Sequence, residues 1–213
     1  GTVSDLSEAG RYDLGLACRR LAIIDLSPAG HQPMCNEDKT LWIVHNGEVY
    51  NFAHLRRELK ERGHRFVSNT DTEVILHAYE EWGPNCLSRF NGMWAFCIWD
   101  SKAKKLFCAR DRFGIKPFYY YYDTDKFMFA SEIKALLAAG LPRRVNDKVV
   151  YEYLAKGLLD HTEETFFEGV KQLRGGEYLE FDLVTRSLSK HRYWNAPAET
   201  LAGKLTDEDC ALQ

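Results

Sequence analysis

The residues with a chemistry to offer sit in Leu41-Trp42-Ile43-Val44-His45-Asn46-Gly47-Glu48-Val49-Tyr50-Asn51. The apolar run Leu41 to Val44 suits a buried strand, which the polar residues after it end abruptly. Asn46 offers a side-chain NH2, and Gly47 offers a backbone N–H that no Cβ shields. Two such donors at the end of a rigid strand could form an oxyanion hole, which holds the negative oxygen of a tetrahedral intermediate. Read alone, Asn-Gly between two strand-like runs is also the signature of a tight hairpin turn. Two further polar features stand in similar places, Arg20 at the end of a strand-like run and Asp71 at a helix start. Each has a plainer reading: Arg20 as a solvated cation, Asp71 as an acid favoured by the helix dipole, and Glu48 as a turn residue.

The elements that must position these groups follow from periodicity. Leu14 to Cys18 reads as a strand, Leu21 to Ile24 as a second apolar run closed by Asp25, and Ser27 to Pro33 as a loop. Phe52, Leu55 and Leu59 share one helical face that stops near Gly63. Thr70-Asp71-Thr72-Glu73 is a capping-box pattern that opens a second helix, ended by Gly83-Pro84. Met93 to Trp99 is almost wholly apolar, as in a strand covered on both faces. A polar turn from Asp100 to Lys104 joins it to Leu106-Ala109 as a hairpin, with Cys97 opposite Cys108 if the turn is symmetric. The aromatic runs Phe118 to Tyr122 and Phe127 to Phe129 are separated by another short turn. Ser131 caps a short helix through Leu137, and Asn146 to Leu154 reads as a further helix. Glu177 to Phe181 alternates like a strand and pairs with Leu188 to Trp194. Many strands joined as hairpins, with helices clustered between them, indicate an α+β fold with antiparallel sheets.

A chain of 213 residues suffices for one substantial domain. Hydrophobic content of 45% with 28% charged residues is ordinary for a soluble globular protein. A formal charge of −3 and the lack of a basic stripe argue against a nucleic-acid partner. No apolar run reaches membrane-spanning length, and no signal peptide opens the sequence. The six cysteines show neither a C-x-x-C nor a Cys/His ligand spacing, so free thiols, a reducing compartment and no metal site are expected. No G-x-G-x-x-G or P-loop marks a nucleotide site.

Seven motifs in order resemble the glutamine-hydrolysing domain of asparagine synthetases, a class II glutamine amidotransferase. They are Arg20-Leu21-Ala22-Ile23-Ile24-Asp25, Gly30-His31-Gln32-Pro33-Met34, Asn46-Gly47-Glu48-Val49-Tyr50-Asn51 and Thr70-Asp71-Thr72-Glu73-Val74-Ile75. Gly92-Met93-Trp94-Ala95-Phe96, Arg110-Asp111-Arg112-Phe113-Gly114-Ile115-Lys116-Pro117 and Ala130-Ser131-Glu132-Ile133-Lys134-Ala135-Leu136 complete the set. The resemblance implies the four-layer αββα sandwich of two mostly antiparallel sheets found in N-terminal-nucleophile hydrolases. It implies a glutamine site in which Arg20 pairs with the α-carboxylate, an anion that its planar fork fits. The backbone of Leu21, Ala22, Ile23 and Ile24 would line the same pocket. Asp71 would accept the α-ammonium, and Glu48 would help hold that end. Asn46 and Gly47 would be catalytic, stabilising the oxyanion formed when a cysteine thiol attacks the γ-carboxamide. Ammonia leaves, and the thioester is hydrolysed to glutamate. The implied partners are glutamine, a C-terminal synthetase domain and, in a homodimer, a second copy. ATP and Mg belong to that synthetase domain, which amidates aspartate or a related acid, and this chain itself needs no cofactor. The implied location is cytoplasmic.

The family's nucleophile is a first-residue cysteine whose own α-amine is the base, and a His-Arg-Gly-Pro-Asp segment follows in the same upstream region. Neither occurs in this sequence. Cys18, internal and without a free amine, reads as a buried strand thiol. The expectation is a fragment, with 1–195 a glutaminase domain short of its first strand and cysteine and 196–213 a linker towards an absent synthetase half. Such a chain should not hydrolyse glutamine by itself, and the unfilled sheet edge should make it poorly soluble or oligomeric. Two other readings are a non-catalytic relative of the β-lactam synthetase kind and a free-standing amino-acid-binding module.

Overall fold

A computed structural model describes residues 14–21 and 24–196. In chain order the elements are β1 (Met34–Cys35), β2 (Leu41–Val49), α1 (Phe52–Glu61), α2 (Asp71–Trp82), β3 (Gly92–Asp100) and β4 (Lys105–Arg110). They continue with β5 (Tyr119–Tyr122), β6 (Phe127–Ala130), α3 (Ile133–Ala138), α4 (Asp147–Lys156), β7 (Val170–Gln172), β8 (Glu177–Asp182) and β9 (Ser187–Arg192). One sheet has the order β1-β2-β3-β4-β8-β9 and the other β6-β5-β7. Every recorded strand pair is antiparallel.

Alternation along the strands decides the layers. On β3, Trp94, Phe96 and Ile98 join a core with the apolar faces of α1 and α2, while Ala95 and Cys97 join a second core between the sheets. On β4, Phe107 and Ala109 take the helix side, and Leu106 and Cys108 the inter-sheet side. In the smaller sheet Tyr120, Phe127 and Phe129 face the larger sheet, and Tyr119, Tyr121 and Met128 pack with α3. The layers therefore run helix, sheet, sheet, helix, the αββα sandwich that the resemblance implies. With both faces covered, the central strands carry continuous apolar runs rather than alternating ones.

Thr70 caps α2 as expected, its hydroxyl accepting from Glu73 N–H at 3.2 Å. The other half of the capping box is diverted, because the Glu73 carboxylate accepts from Val67 N–H and Ser68 N–H at 2.7 and 2.8 Å. Cys97 lies opposite Cys108, and both are free thiols, as are Cys18, Cys35 and Cys86. No described helix is long and apolar enough to cross a membrane. The expected helix start at Thr206 lies outside the described residues.

Four expectations change. Leu14 to Cys18 forms no strand, although Leu14, Leu16 and Cys18 alternate inward against the inter-sheet core. Leu21 is 83% exposed, so its segment is no buried run; Ala22 and Ile23 lie outside the described residues. β2 does not end at His45 but continues to Val49, with Asn46 opposite Ala95 and Gly47 opposite Trp94. Asn46-Gly47 is thus neither a turn nor a strand end. Ser131 does not cap α3, whose N-cap is Glu132 without a side-chain bond.

Candidate active site

Between the sheets, where β2 and β3 approach β6, the core opens into a cleft of about 850 Å³. Arg20, Leu21, Ile24, Asn46, Gly47, Glu48 and Asp71, all the described members of the expected site, line it. Residues far apart in sequence converge here because β2, α2 and the loop before β1 meet at one edge of the larger sheet.

That edge is open by construction. β1 pairs with β2 only at Trp42 and Ile43, so beyond them β2 has no outer strand neighbour among the described residues. Backbone N–H groups then alternate between β3 and the free edge. His45 N–H donates outward to Gln32 Oε1 at 2.6 Å, and Val49 N–H donates outward to Asp71 Oδ2 at 2.9 Å. Gly47 N–H lies between them and points the same way. Its opposite number, Trp94, turns its own backbone to Asp111, with Trp94 N–H to Oδ2 at 3.2 Å and Asp111 N–H to Trp94 C=O at 2.8 Å. Among the described residues no acceptor meets Gly47 N–H.

Gly47 is required for a reason other than a turn. Its φ is +141°, and a Cβ there would run into the Met93 carbonyl oxygen and Trp94 Cα. The neighbouring Asn46 turns its side chain to the inter-sheet face, where Nδ2 donates to Ser131 Oγ at 3.3 Å. This contact is what occupies Ser131 in place of a helix cap.

Asp71 is buried in the first turn of α2, and its Oδ1 accepts from Thr72 N–H at 2.9 Å. Beside it runs a polar chain: Gln32 Nε2 donates to Thr72 Oγ1 at 3.4 Å, and Thr72 Oγ1 lies 3.0 Å from His45 Nδ1. His45 Nε2 is buried and meets no partner among the described residues. Burial, with Lys116 acting in the same direction, lowers the His45 pKa to about 4 against the opposing pull of Asp71. The imidazole is therefore neutral at physiological pH.

Arg20 packs so closely on Gly30 that any Cβ there would overlap its guanidinium, and it donates to the Asp25 carbonyl. The Asp25 carboxylate accepts from Ser27 N–H and Asn69 N–H, each at 2.8 Å. Hydrogen bonds from Ser27 and Asn69 hold its pKa at about 2, with Arg20 adding to the effect. Asp25 thereby ties the Arg20 loop to the segment that leads into α2 and Asp71.

Sequence reasoning missed Gln32, His45, Thr72, Lys116 and Ser131 as members of this cleft. One signal was available, since His45 is a polar residue inside an otherwise apolar strand. Another was the Arg110 to Pro117 motif, whose job is architectural. Asp111 collects the N–H groups of Trp94, Phe113, Ile115 and Lys116, while Arg110 donates to the carbonyls of Gly114, Lys116 and Leu173. That knot presents Lys116 to the cleft. Cys18 also lines it, half-buried, with its thiol pKa raised by burial against an opposing effect of Arg20.

The profile of the family described as a glutamine amidotransferase domain matches residues 6–194. The chain belongs to the glutamine amidotransferase domain family. This amidotransferase domain is 42% identical over 204 residues to the putative asparagine synthetase (glutamine-hydrolyzing) 2 of Methanocaldococcus jannaschii, covering 87% of this chain and 39% of that protein. It is 40% identical over 193 residues to asparagine synthetase (glutamine-hydrolyzing) 3 of Bacillus subtilis, covering 89% of this chain and 31% of that protein. The chain spans less than two fifths of either relative. Two solved structures are similar in fold. Glutamine phosphoribosylpyrophosphate amidotransferase of B. subtilis, complexed with ADP and GMP, gives a TM-score of 0.55 at 21% identity over 78% of this chain and 32% of that one. The allosteric regulatory enzyme of purine biosynthesis gives 0.58 at 21% identity over 83% of this chain and 35% of that one.

Proposed function

We propose that this amidotransferase domain binds glutamine in the inter-sheet cleft and hydrolyses its side-chain amide, supplying ammonia within an asparagine synthetase-like protein. The observation that carries the reading is the outer edge of β2, where Gly47 N–H lies between outward-bonded neighbours, meets no acceptor among the described residues, and stands beside the Asn46 amide. Arg20 takes the α-carboxylate of the substrate, Asp71 and Glu48 take the α-ammonium, and the Leu21 to Ile24 backbone lines the same end. The nucleophile is the N-terminal cysteine that the family resemblance implies. Its thiol proton passes to the α-amine, whose pKa near about 8 suits that role at neutral pH. Sulfur bonds to the amide carbon, and the negative oxygen is held by Asn46 Nδ2 and Gly47 N–H. The α-ammonium returns the proton to the leaving nitrogen, ammonia departs, and water cleaves the thioester to glutamate.

Cys18 and Cys97 also line the cleft, but burial raises both thiols above their ordinary value and leaves little thiolate for attack. The ammonia goes to aspartate or a related acid, amidated in a synthetase domain that uses ATP and Mg; those ligands belong to that domain and not to the residues of this cleft.

Glutamate release, coupled to a dehydrogenase and measured on the longer protein with its Cys18→Ser variant, tests the reading. Undiminished turnover in Cys18→Ser is expected. Turnover abolished by that change would make Cys18 the nucleophile, and bound but unhydrolysed glutamine would favour a non-catalytic domain.

A further inference from the structure

Outside the cleft, three electron-pair donors converge in the outer helical layer. His64 follows α1, and its backbone N–H donates to Leu59 C=O at 3.0 Å, which folds the loop back against α2. His77 and Glu80 stand three residues apart on α2 and so share a face. His64 Nδ1 lies 3.2 Å from His77 Nδ1, His77 Nδ1 lies 3.2 Å from Glu80 Oε2, and His64 Nδ1 lies 3.5 Å from that oxygen.

Hydrogen bonding leaves this triangle short of protons. A carboxylate oxygen brings none, and each neutral imidazole carries one N–H. His64 Nε2 faces Glu81 Oε2 at 3.1 Å. With both rings neutral and the His64 proton on that side, at most one proton, from His77, is left among three lone-pair atoms. His77 Nε2 lies 4.0 Å from Glu73 Oε1, and a proton on that side leaves the triangle none.

The spacing is that of a cation's ligands. Atoms about 2.0–2.1 Å from a tetrahedral zinc stand about 3.3 Å from one another, close to all three edges. The outer ring nitrogen of His64 meets the Glu81 carboxylate, the arrangement that orients a metal-binding imidazole and raises its basicity. Glu80 Oε1 is itself held by Asn36 Nδ2 at 3.2 Å. On the remaining side a recess of about 260 Å³ is lined by Glu37, Arg62 and Gly63 together with His64 and Glu80. Arg62 is paired with Glu58 and Glu81, and water or Glu37 can supply a fourth ligand.

We propose that His64, His77 and Glu80 form a site for one divalent transition-metal ion of the zinc class. Two imidazoles and one carboxylate suit Zn²⁺, with Co²⁺, Ni²⁺ and Cu²⁺ as competitors, rather than Mg²⁺ or Ca²⁺, which take oxygen ligands. The ion staples the loop after α1 to α2, the helix whose first turn carries Asp71.

The test uses the purified protein, freed of any affinity tag and stripped with a chelator. Zn²⁺ is titrated by calorimetry and Co²⁺ by visible absorption. One equivalent of Zn²⁺ should bind with a rise in Tm, and Co²⁺ should give the intense bands of a four-coordinate site that Zn²⁺ then displaces. Glu81→Gln, which loses only an outer carboxylate, should weaken binding by about 10–100-fold. Glu80→Gln and His64→Ala should weaken it at least as much with unchanged circular dichroism, while His191→Ala on β9 should bind like the wild type. Should His64→Ala misfold, the exposed Glu80 decides through Glu80→Gln. No Zn²⁺ uptake by the wild type, or uptake undiminished in Glu80→Gln, would overturn the site.

Discussion

Asn46 and Asp71 meet different charges in the proposed reaction, so their variants should separate in kinetics. The oxyanion forms only during attack, and Asn46→Ala should lower kcat on the order of 100- to 1000-fold with KM little changed. The α-ammonium is charged before and after binding. Asp71→Asn should therefore raise KM by about 10–100-fold, the equivalent of about 1.5–3 kcal/mol for a hydrogen bond to a charged group. An Asn46→Ala effect confined to KM would contradict the oxyanion assignment. His45 makes a prediction about pH. Its folded pKa is about 4 against an ordinary 6.5, so between those values the unfolded chain binds a proton that the folded one does not. Stability is then fully present above about pH 6.5 and falls as pH drops towards about 4. Urea midpoints at about pH 7.5 and pH 5 should diverge more for the wild type than for His45→Gln; equal losses would mean the imidazole is not held neutral.

At the scale of elements, α2 presents Asp71 and takes its N-terminal geometry from the Thr70 cap. Thr70→Ala should cost about 1 kcal/mol, read as a lower urea midpoint. Ser131→Ala is the contrast. Ser131 caps nothing and touches Asn46, so the change should leave stability alone and act, if anywhere, on turnover. β2 shows why an element can be read correctly and bounded wrongly. Its apolar half announces a strand, while its polar half remains strand because β3 pairs with it throughout. Pairing is a property of the partner, which local composition does not contain.

The whole molecule has two cores of different consequence. Ile98 sits in the core shared with α1 and α2, and Phe118 in the inter-sheet core that also walls the cleft. Ile98→Ala should destabilise by about 2–5 kcal/mol and Phe118→Ala by about 3–5 kcal/mol. Only Phe118→Ala should also raise KM for glutamine in folded protein. Equal effects on KM would mean that the inter-sheet layer does not shape the site.

The sequence by itself determined the amphipathic faces of α1 and α2, the β3-β4 hairpin with Cys97 opposite Cys108, and the antiparallel α+β class. Each rests on a period or a turn signal that neighbouring residues supply. It also put forward Arg20, Asn46, Gly47, Glu48 and Asp71 as site residues through the resemblance of their motifs, and all five line the cleft. Only the tertiary structure decided that Gly47 stands inside a strand on an edge left open among the described residues, since that depends on β1 pairing no further along β2 than Ile43 and β3 running past it. It also decided that Gln32, His45 and Thr72 form one chain and that His64, His77 and Glu80 form another cluster. Those contacts join residues on different elements, and no periodicity along the chain records which faces the packing of sheet on helix will bring together.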